Sequence, residues 1–195
     1  MKKQILLLLF LFLCFRNFAQ SWTANQLNSA NTAKDIACLT DVEKDAVMYI
    51  NLARLYPKLF VKIELINYTG TAEHKDYVKD SKYKESLITF LNSMTPVNAL
   101  SFDSLLYENA RCFAKESGDA GTEGHDRIAC PDEGFSECCS YGMFTGKDIA
   151  MQFLIDLNIP SLGHREVCLD GSYSKVGPSV HNHKVWGSCA VLDFY

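Results

Sequence analysis

An apolar run near the N-terminus limits the folds open to this chain, because it predicts export to an oxidising compartment. The run extends from Ile5 to Phe15 after a basic start. Such a segment is typical of a secretory signal peptide and is shorter than the roughly 18 residues of a membrane-spanning helix. We therefore predict a signal peptide over residues 1–20, cleaved after Ala19 or Gln20. The protein is expected to be secreted or periplasmic and not transmembrane.

Cysteines are numerous for an exported chain of this size. The sequence contains eight, of which Cys14 lies in the predicted signal peptide and seven remain. In an oxidising compartment disulfides are the default expectation, and an odd count leaves one thiol free, paired between chains, or modified. A zinc site made of cysteines alone is the weaker interpretation, since no Cys-x-x-Cys pair occurs. The seven are Cys38, Cys112, Cys130, Cys138, Cys139, Cys168 and Cys189.

The exported chain is acidic and has the length of one domain. The formal net charge is −4, and the loss of Lys2, Lys3 and Arg16 with the signal peptide makes it more negative. Nucleic acid and anionic membranes are therefore poor partners. We predict a polar leader over residues 21–38 and a single folded domain over residues 39–195.

Capping signals and apolar periodicity predict several helices. Thr40 and Glu43 form a capping box, and apolar residues recur at helical spacing after it. Asp103 is a second candidate N-cap, and Gly118 a natural C-terminal stop. Four helices are predicted: the first begins at Asp41 and is stopped by Pro57, and the others cover Glu85–Met94, Asp103–Gly118 and Lys147–Leu157.

Segments without helical periodicity are predicted to be loops or strands. Two loops are expected, over Asn67–Lys84 and Asp119–Tyr141, and the second needs covalent support because of its length. A C-terminal hairpin is predicted from Tyr173–Val180 and Lys184–Phe194, with His181-Asn182-His183 as a solvated turn. Aromatic residues expected in the core are Phe113, Phe153, Trp186 and Phe194.

Two histidines follow glycines that allow close backbone approach, in Gly124-His125 and Gly163-His164. Glu137 lies between them in the chain. Imidazole and carboxylate groups can hold a divalent metal or act as an acid–base pair, provided that they meet in space. The spacing alone leaves open whether they share a site or are separate loop residues.

Several motifs occur in an order that resembles one extracellular family. They are Gly124-His125, Ser136-Glu137-Cys138, the segment Phe153–Arg165 that ends in Gly163-His164-Arg165, and the closing segment Gly187–Phe194. This set resembles the bacterial branch of the CAP superfamily, the SCP-like domain of cysteine-rich secretory, antigen 5 and pathogenesis-related proteins. The resemblance covers the chain from about Leu39 to Phe194. It implies an α+β fold, a three-layer α-β-α sandwich with a C-terminal antiparallel hairpin, supported by disulfides.

The resemblance also implies a cavity lined by two histidines and two acids. By motif these are His125, Glu137 and His164, with Asp156 as the second acid. Several members of the family hold a divalent ion there, which implies a zinc ion bound by His125, His164 and Glu137. The chain departs from the family pattern where Ser136 replaces a glycine and Cys138 replaces an asparagine, and this puts the local loop geometry in doubt.

Beside that resemblance, disulfides could compensate for the altered loop. Cys130 with Cys139 would close the loop that carries Glu137, and Cys168 with Cys189 would join the segment after His164 to the last strand. Cys38 with Cys112 could join two helices, leaving Cys138 odd. These pairings are one choice among the many that seven cysteines allow.

Three functions follow from these observations. The first is an extracellular binding module for a lipid, a divalent ion or a partner protein. The alternative is a metal-dependent extracellular hydrolase that acts on peptide bonds or cell-wall material through the same cavity. The third is an envelope protein whose polar cluster only organises the core. No serine nucleophile can be inferred, because neither Ser136 nor Ser161 has a histidine partner in the motif pattern.

Overall fold

The computed structural model describes residues 20–195, so the predicted signal peptide lies outside the described residues except for Gln20. No helix in this range is long and apolar enough to cross a bilayer. Within it the chain forms seven α-helices, a π-helical turn and four strands. The helices are α1 (Ala24–Ala30), α2 (Asp41–Leu55), α3 (Pro57–Phe60), α4 (Lys82–Ser93), α5 (Ser104–Ala120), α6 (Gly146–Ile155) and α7 (Gly163–Leu169). The π-helical turn is Val61–Leu65, and the strands are β1 (Ser101–Phe102), β2 (Ser136–Tyr141), β3 (Lys175–His181) and β4 (Cys189–Phe194).

The four strands form one mixed sheet in the order β1-β3-β4-β2. The short β1 runs parallel to β3, whereas β4 is antiparallel to both of its neighbours. The pair β3–β4 is the predicted C-terminal hairpin. Every residue of β4 is buried, as expected for a strand that is paired on both edges and covered on both faces.

Helices pack against both faces of the sheet. On one face Ala190, Leu192 and Phe194 join a core cluster that contains the apolar residues of α2 and α6. On the other face Cys189 and Val191 pack with the apolar side of α5. The alternation follows from the strand pleat, which sends successive side chains to opposite faces. The fold is therefore α+β, as the resemblance implies.

Helix α5 lies unusually close to the sheet. Asp103 caps it by accepting hydrogen bonds from the backbone amides of Leu105 and Leu106. A Cβ atom at Gly177 of β3 would lie 2.1 Å from the amide nitrogen of Tyr107, so only glycine fits at this crossing. The helix continues past Gly118 to Ala120 and ends at Gly121, which has φ +73°.

A buried polar network joins the N-terminal helices to the later part of the chain. The Arg54 side chain is fully buried and donates to four backbone carbonyls. The acceptors are Asn98 at 2.8 Å, Cys168 at 2.8 Å, Asp170 at 2.9 Å and Tyr173 at 2.7 Å. Because these acceptors lie far from Arg54 in sequence, one side chain satisfies carbonyls of two separate segments.

Several segments differ from the sequence expectations. The leader contains α1, which Thr23 and Gln26 cap reciprocally, and Trp22 donates to Glu64 at 2.6 Å. The predicted loop Asp119–Tyr141 ends in strand β2, whose Ser-Glu-Cys-Cys-Ser-Tyr sequence lacks apolar alternation. The Gly-His-Arg segment begins helix α7 after Leu162, whose side chain cannot cap the helix, so the usual start signal is missing.

The hairpin turn is ordered by a buried histidine, which corrects the expectation that it is solvated. His183 Nε2 donates to the Thr122 carbonyl at 3.0 Å, and Nδ1 accepts from the amides of Val185 and Trp186. Trp186 is 48% exposed, so its assignment to the core was wrong. Phe113, Phe153 and Phe194 are buried as predicted.

The cysteine pairing also differs. Cys112 of α5 and Cys130 of the following loop form a disulfide, so the predicted pairs Cys130–Cys139 and Cys38–Cys112 are wrong. Cys168 and Cys189 are thiols, and they lie in different core clusters on opposite faces of the sheet. The bond ties the loop that leads to β2 back to α5, which is the covalent support that the length of this loop requires.

Candidate functional site

His125 and Glu137 form the first imidazole–carboxylate pair. His125 follows Gly124, whose φ of +96° turns the chain, and Glu137 lies on β2. His125 Nδ1 donates to Glu137 Oε1 across 2.8 Å, and this hydrogen bond raises the pKa of His125. The second oxygen of Glu137 forms an ion pair with Arg127. Glu137 is thus held from two sides, while the histidine side chain remains 57% exposed.

Behind this pair lies a further acid, Asp193, which no sequence motif marks. Asp193 of β4 stands opposite Glu137 in the strand register and is fully buried. Asn109 donates to Asp193 Oδ2 at 2.6 Å. Burial, with the neighbouring charge of Glu137, raises the pKa of Asp193 to about 7. The signal that could have revealed it is a lone acid inside the apolar segment Ala190–Phe194.

Asp156 and His164 form the second imidazole–carboxylate pair. Asp156 ends α6 with φ +56°, and its buried carboxylate accepts from the backbone amides of His164 and Arg165. It also accepts from His164 Nδ1 at 2.8 Å. The acid therefore fixes the tautomer of His164 and leaves Nε2 for a ligand.

The two histidines border one cavity of about 340 Å³. Asp156 and Cys139 also line it, and its apolar wall includes Met151, Phe153, Ile155 and Ile159. Glu137 does not line this cavity. It lies on the other side of His125, in a neighbouring pocket of about 310 Å³ with Asn109 and Arg127. The structure thus brings His125, His164 and Asp156 to one cavity and sets Glu137 behind the first histidine.

A group of three metal-ligating side chains lies beside the cavity. One ligand atom from each of His125, Glu137 and Cys139 falls within 4.8 Å of the others, and His164 does not belong to this group. Cys139 Sγ lies 3.7 Å from His125 Nδ1. Nitrogen, oxygen and sulfur donors of this kind suit zinc. Burial raises the pKa of Cys139 well above its usual value, so a metal would have to displace the thiol proton.

Comparisons with known proteins identify no family. No protein-family model matches the chain. No curated protein matches it either. Among solved structures, an outer surface protein from Borrelia burgdorferi is similar, with 22% sequence identity, a TM-score of 0.41, and an alignment over 57% of this chain and 86% of that chain. A likeness at this level supports no argument about fold or function.

Proposed function

We propose that the chain is an extracellular CAP-type binding module whose cavity between His125 and His164 takes a small amphiphilic ligand. The order of the motifs supports this proposal, as do the α+β fold with helices on both faces of the sheet and the C-terminal hairpin. The observation that carries it is that two histidines, each paired to a carboxylate, border the same cavity.

The chemistry of the cavity suits a ligand with an apolar body and a polar head. Phe153, Met151 and Ile159 supply an apolar wall, and the two imidazole rings supply hydrogen-bonding groups. Ligand pockets in proteins commonly combine a mainly apolar lining with a few fixed polar groups, and begin at roughly 300 Å³. A cavity of about 340 Å³ takes a short lipid or part of a longer one.

Binding fits the geometry better than nucleophilic catalysis. Cys139 is a nucleophile in the cavity, but its sulfur approaches the same Nδ1 that donates to Glu137. A nucleophile–histidine–acid triad uses both ring nitrogens, one for each partner. The raised pKa of the Cys139 thiol also keeps it protonated near neutral pH.

Lipid binding tests the proposal. The protein is purified without denaturant, any bound lipid is extracted and identified by mass spectrometry, and the stripped protein is titrated with a fluorescent fatty acid and a fluorescent sterol. Ile159→Glu places a charge in the apolar wall and is expected to weaken probe binding at least tenfold, about 1.4 kcal/mol. Ile128→Glu is the matched control, since Ile128 is 86% exposed and does not line the cavity. Absence of bound or transferable lipid over the panel would refute this function.

A second candidate is a metal-dependent extracellular hydrolase that acts on peptide bonds or cell-wall material. The group His125, Glu137 and Cys139 favours it, because these side chains could hold zinc. Bound zinc would supply Lewis-acid chemistry. The chain itself would supply His164, oriented by Asp156, as the group that accepts a proton.

Metal content separates the two candidates. The mature protein is analysed for bound metal, and its thermal midpoint is measured with and without chelator and with added zinc. A bound ion is expected to be lost in His125→Ala and kept in His164→Ala, because His164 lies outside the ligand group. No metal and no stabilisation by zinc would remove the hydrolase from consideration.

A further inference from the structure

The cysteine doublet of β2 divides between the two faces of the sheet. Cys138 and Cys139 are consecutive, so the pleat directs their side chains to opposite faces. Cys138 belongs to the core cluster shared with α2 and α6, which also contains Cys168. Cys139 belongs to the cluster under α5, which also contains Cys189. Each member of the doublet therefore has a different neighbouring cysteine.

Cys138 and Cys168 lie in the region where β2 packs against α7. Cys138 Sγ lies 4.0 Å from the His164 carbonyl, at the start of α7. His164 and Cys168 are four residues apart on this helix and so lie on the same face, one turn from each other. Both cysteines are fully buried and belong to the same core cluster. Burial, with the neighbouring Cys168, raises the pKa of Cys138.

Cys139 and Cys189 are placed less well for a bond. The register sets Cys139 opposite Val191 and Cys189 opposite Tyr141, so the two cysteines are diagonal neighbours. Diagonal Cα atoms in an antiparallel pair are about 7–8 Å apart, whereas disulfides rarely span more than about 7 Å. Without backbone movement this pair stays reduced.

We propose that Cys138 and Cys168 form a second disulfide in the exported protein, and that Cys38, Cys139 and Cys189 remain thiols. The bond forms by exchange with a disulfide oxidant, such as a protein disulfide. The S–H bonds of Cys138 and Cys168 and the S–S bond of the oxidant break, and the two protons pass to the oxidant's sulfurs. One S–S bond forms, and the two electrons reduce the oxidant to a dithiol. Because both sulfurs are buried, the exchange occurs before folding is complete.

The bond would connect the two halves of the cavity. Strand β2 carries Glu137, which holds His125, and α7 carries His164. A covalent link between β2 and α7 fixes the separation of the two histidines. It also leaves Cys139 reduced and beside His125.

Peptide mapping of the full chain, exported into an oxidising compartment, tests this connectivity. Thiols are blocked with N-ethylmaleimide in denaturant, and the protein is digested with trypsin and a glutamate-specific protease. Cleavage after Glu137 separates Cys130 from the doublet. The expected product joins residues 138–147 to residues 167–175, with one blocked thiol at Cys139. With the signal peptide removed, the blocked cysteines should number three, whereas residues 20–195 of the structure contain five thiols.

Two variants and an internal standard complete the test. The linked Cys112–Cys130 peptide shows that the sample was oxidised. Cys139→Ser should retain the link to Cys168, whereas Cys138→Ser should lose it and leave Cys168 open to alkylation. The wild-type map is decisive even where a variant does not fold. Blocked Cys138 and Cys168 beside an intact Cys112–Cys130 bond, or a link from Cys168 to Cys139 or Cys189, would overturn the proposal.

Discussion

Replacement of Asp193 by asparagine should flatten the dependence of stability on pH. Asp193 is fully buried, and its pKa rises to about 7 because burial disfavours the charged carboxylate. In the unfolded chain an aspartate titrates near about 3.9. The folded protein therefore holds a proton that the unfolded chain releases. The stability associated with this proton is fully present below about pH 3.9 and is lost as the pH rises through about 7.

The size of the effect follows from linkage. Each unit of pKa difference corresponds to about 1.4 kcal/mol, so a rise of about three units gives a loss of about 4 kcal/mol over the whole range. Between about pH 5 and about pH 8 the loss is about 2.5 kcal/mol. Asp193→Asn keeps the side-chain shape and an oxygen that can accept from Asn109, but it cannot ionise.

Urea unfolding at the two pH values measures the difference. The wild-type free energy of unfolding should fall by about 2.5 kcal/mol more than that of Asp193→Asn between pH 5 and pH 8. The pKa of His125 is also raised, so its contribution to the stability of the protein also falls as the pH rises. For this reason only the difference between wild type and Asp193→Asn reports on Asp193. Asp35→Asn, at an exposed position, serves as the control. Equal pH dependence in wild type and Asp193→Asn would refute the reasoning.

Two further substitutions test the packing that positions the site. Arg54→Met removes a fully buried side chain that donates to four backbone carbonyls, and it should lower the free energy of unfolding by more than about 3 kcal/mol in urea titrations. Arg111→Met removes one partner of an exposed ion pair and should change the free energy of unfolding little. Comparable losses in the two variants would contradict the stabilising role of the Arg54 hydrogen bonds. Gly177→Ala forces a Cβ to within 2.1 Å of the α5 backbone and should cost about 3 kcal/mol, seen as a lower thermal midpoint. Gly163→Ala, with its nearest atom at 3.6 Å, should be tolerated, and an unchanged midpoint in Gly177→Ala would show that α5 moves without cost.

The elements that could be predicted from the sequence are those with local signals. The capping box of Thr40 and Glu43 marks the start of α2, and Asp103 marks that of α5, because a cap depends on neighbours within one turn. Strand β2 has no comparable signal. Its polar and cysteine residues are stabilised by pairing with β4, about fifty residues later in the chain, and by a hydrogen bond from Ser140 to Gln152 of α6.

The site could be predicted to a similar extent. The Gly-His pairs point to His125 and His164, and the resemblance to the CAP family points to Glu137 and Asp156. Arg127, Cys139 and Asp193 were not recognised as site residues. Their roles depend on which strand lies beside β2 and in which register, and no spacing along the chain reveals that.

The two imidazole–carboxylate pairs therefore differ in how the chain maintains them. Asp156 and His164 are joined by the end of α6 and the start of α7, so a short segment contains the whole arrangement. The first pair depends on the register between β2 and β4. Glu137 of β2, which bonds to His125, stands opposite Asp193 of β4, and both side chains lie on the same face of the sheet. A slip of one residue would turn Glu137 into the apolar core and bring Cys138 into its place. A disulfide from Cys138 to Cys168 of α7 would oppose that slip, because it would hold the Cys138 side chain on the face of the sheet opposite to Glu137.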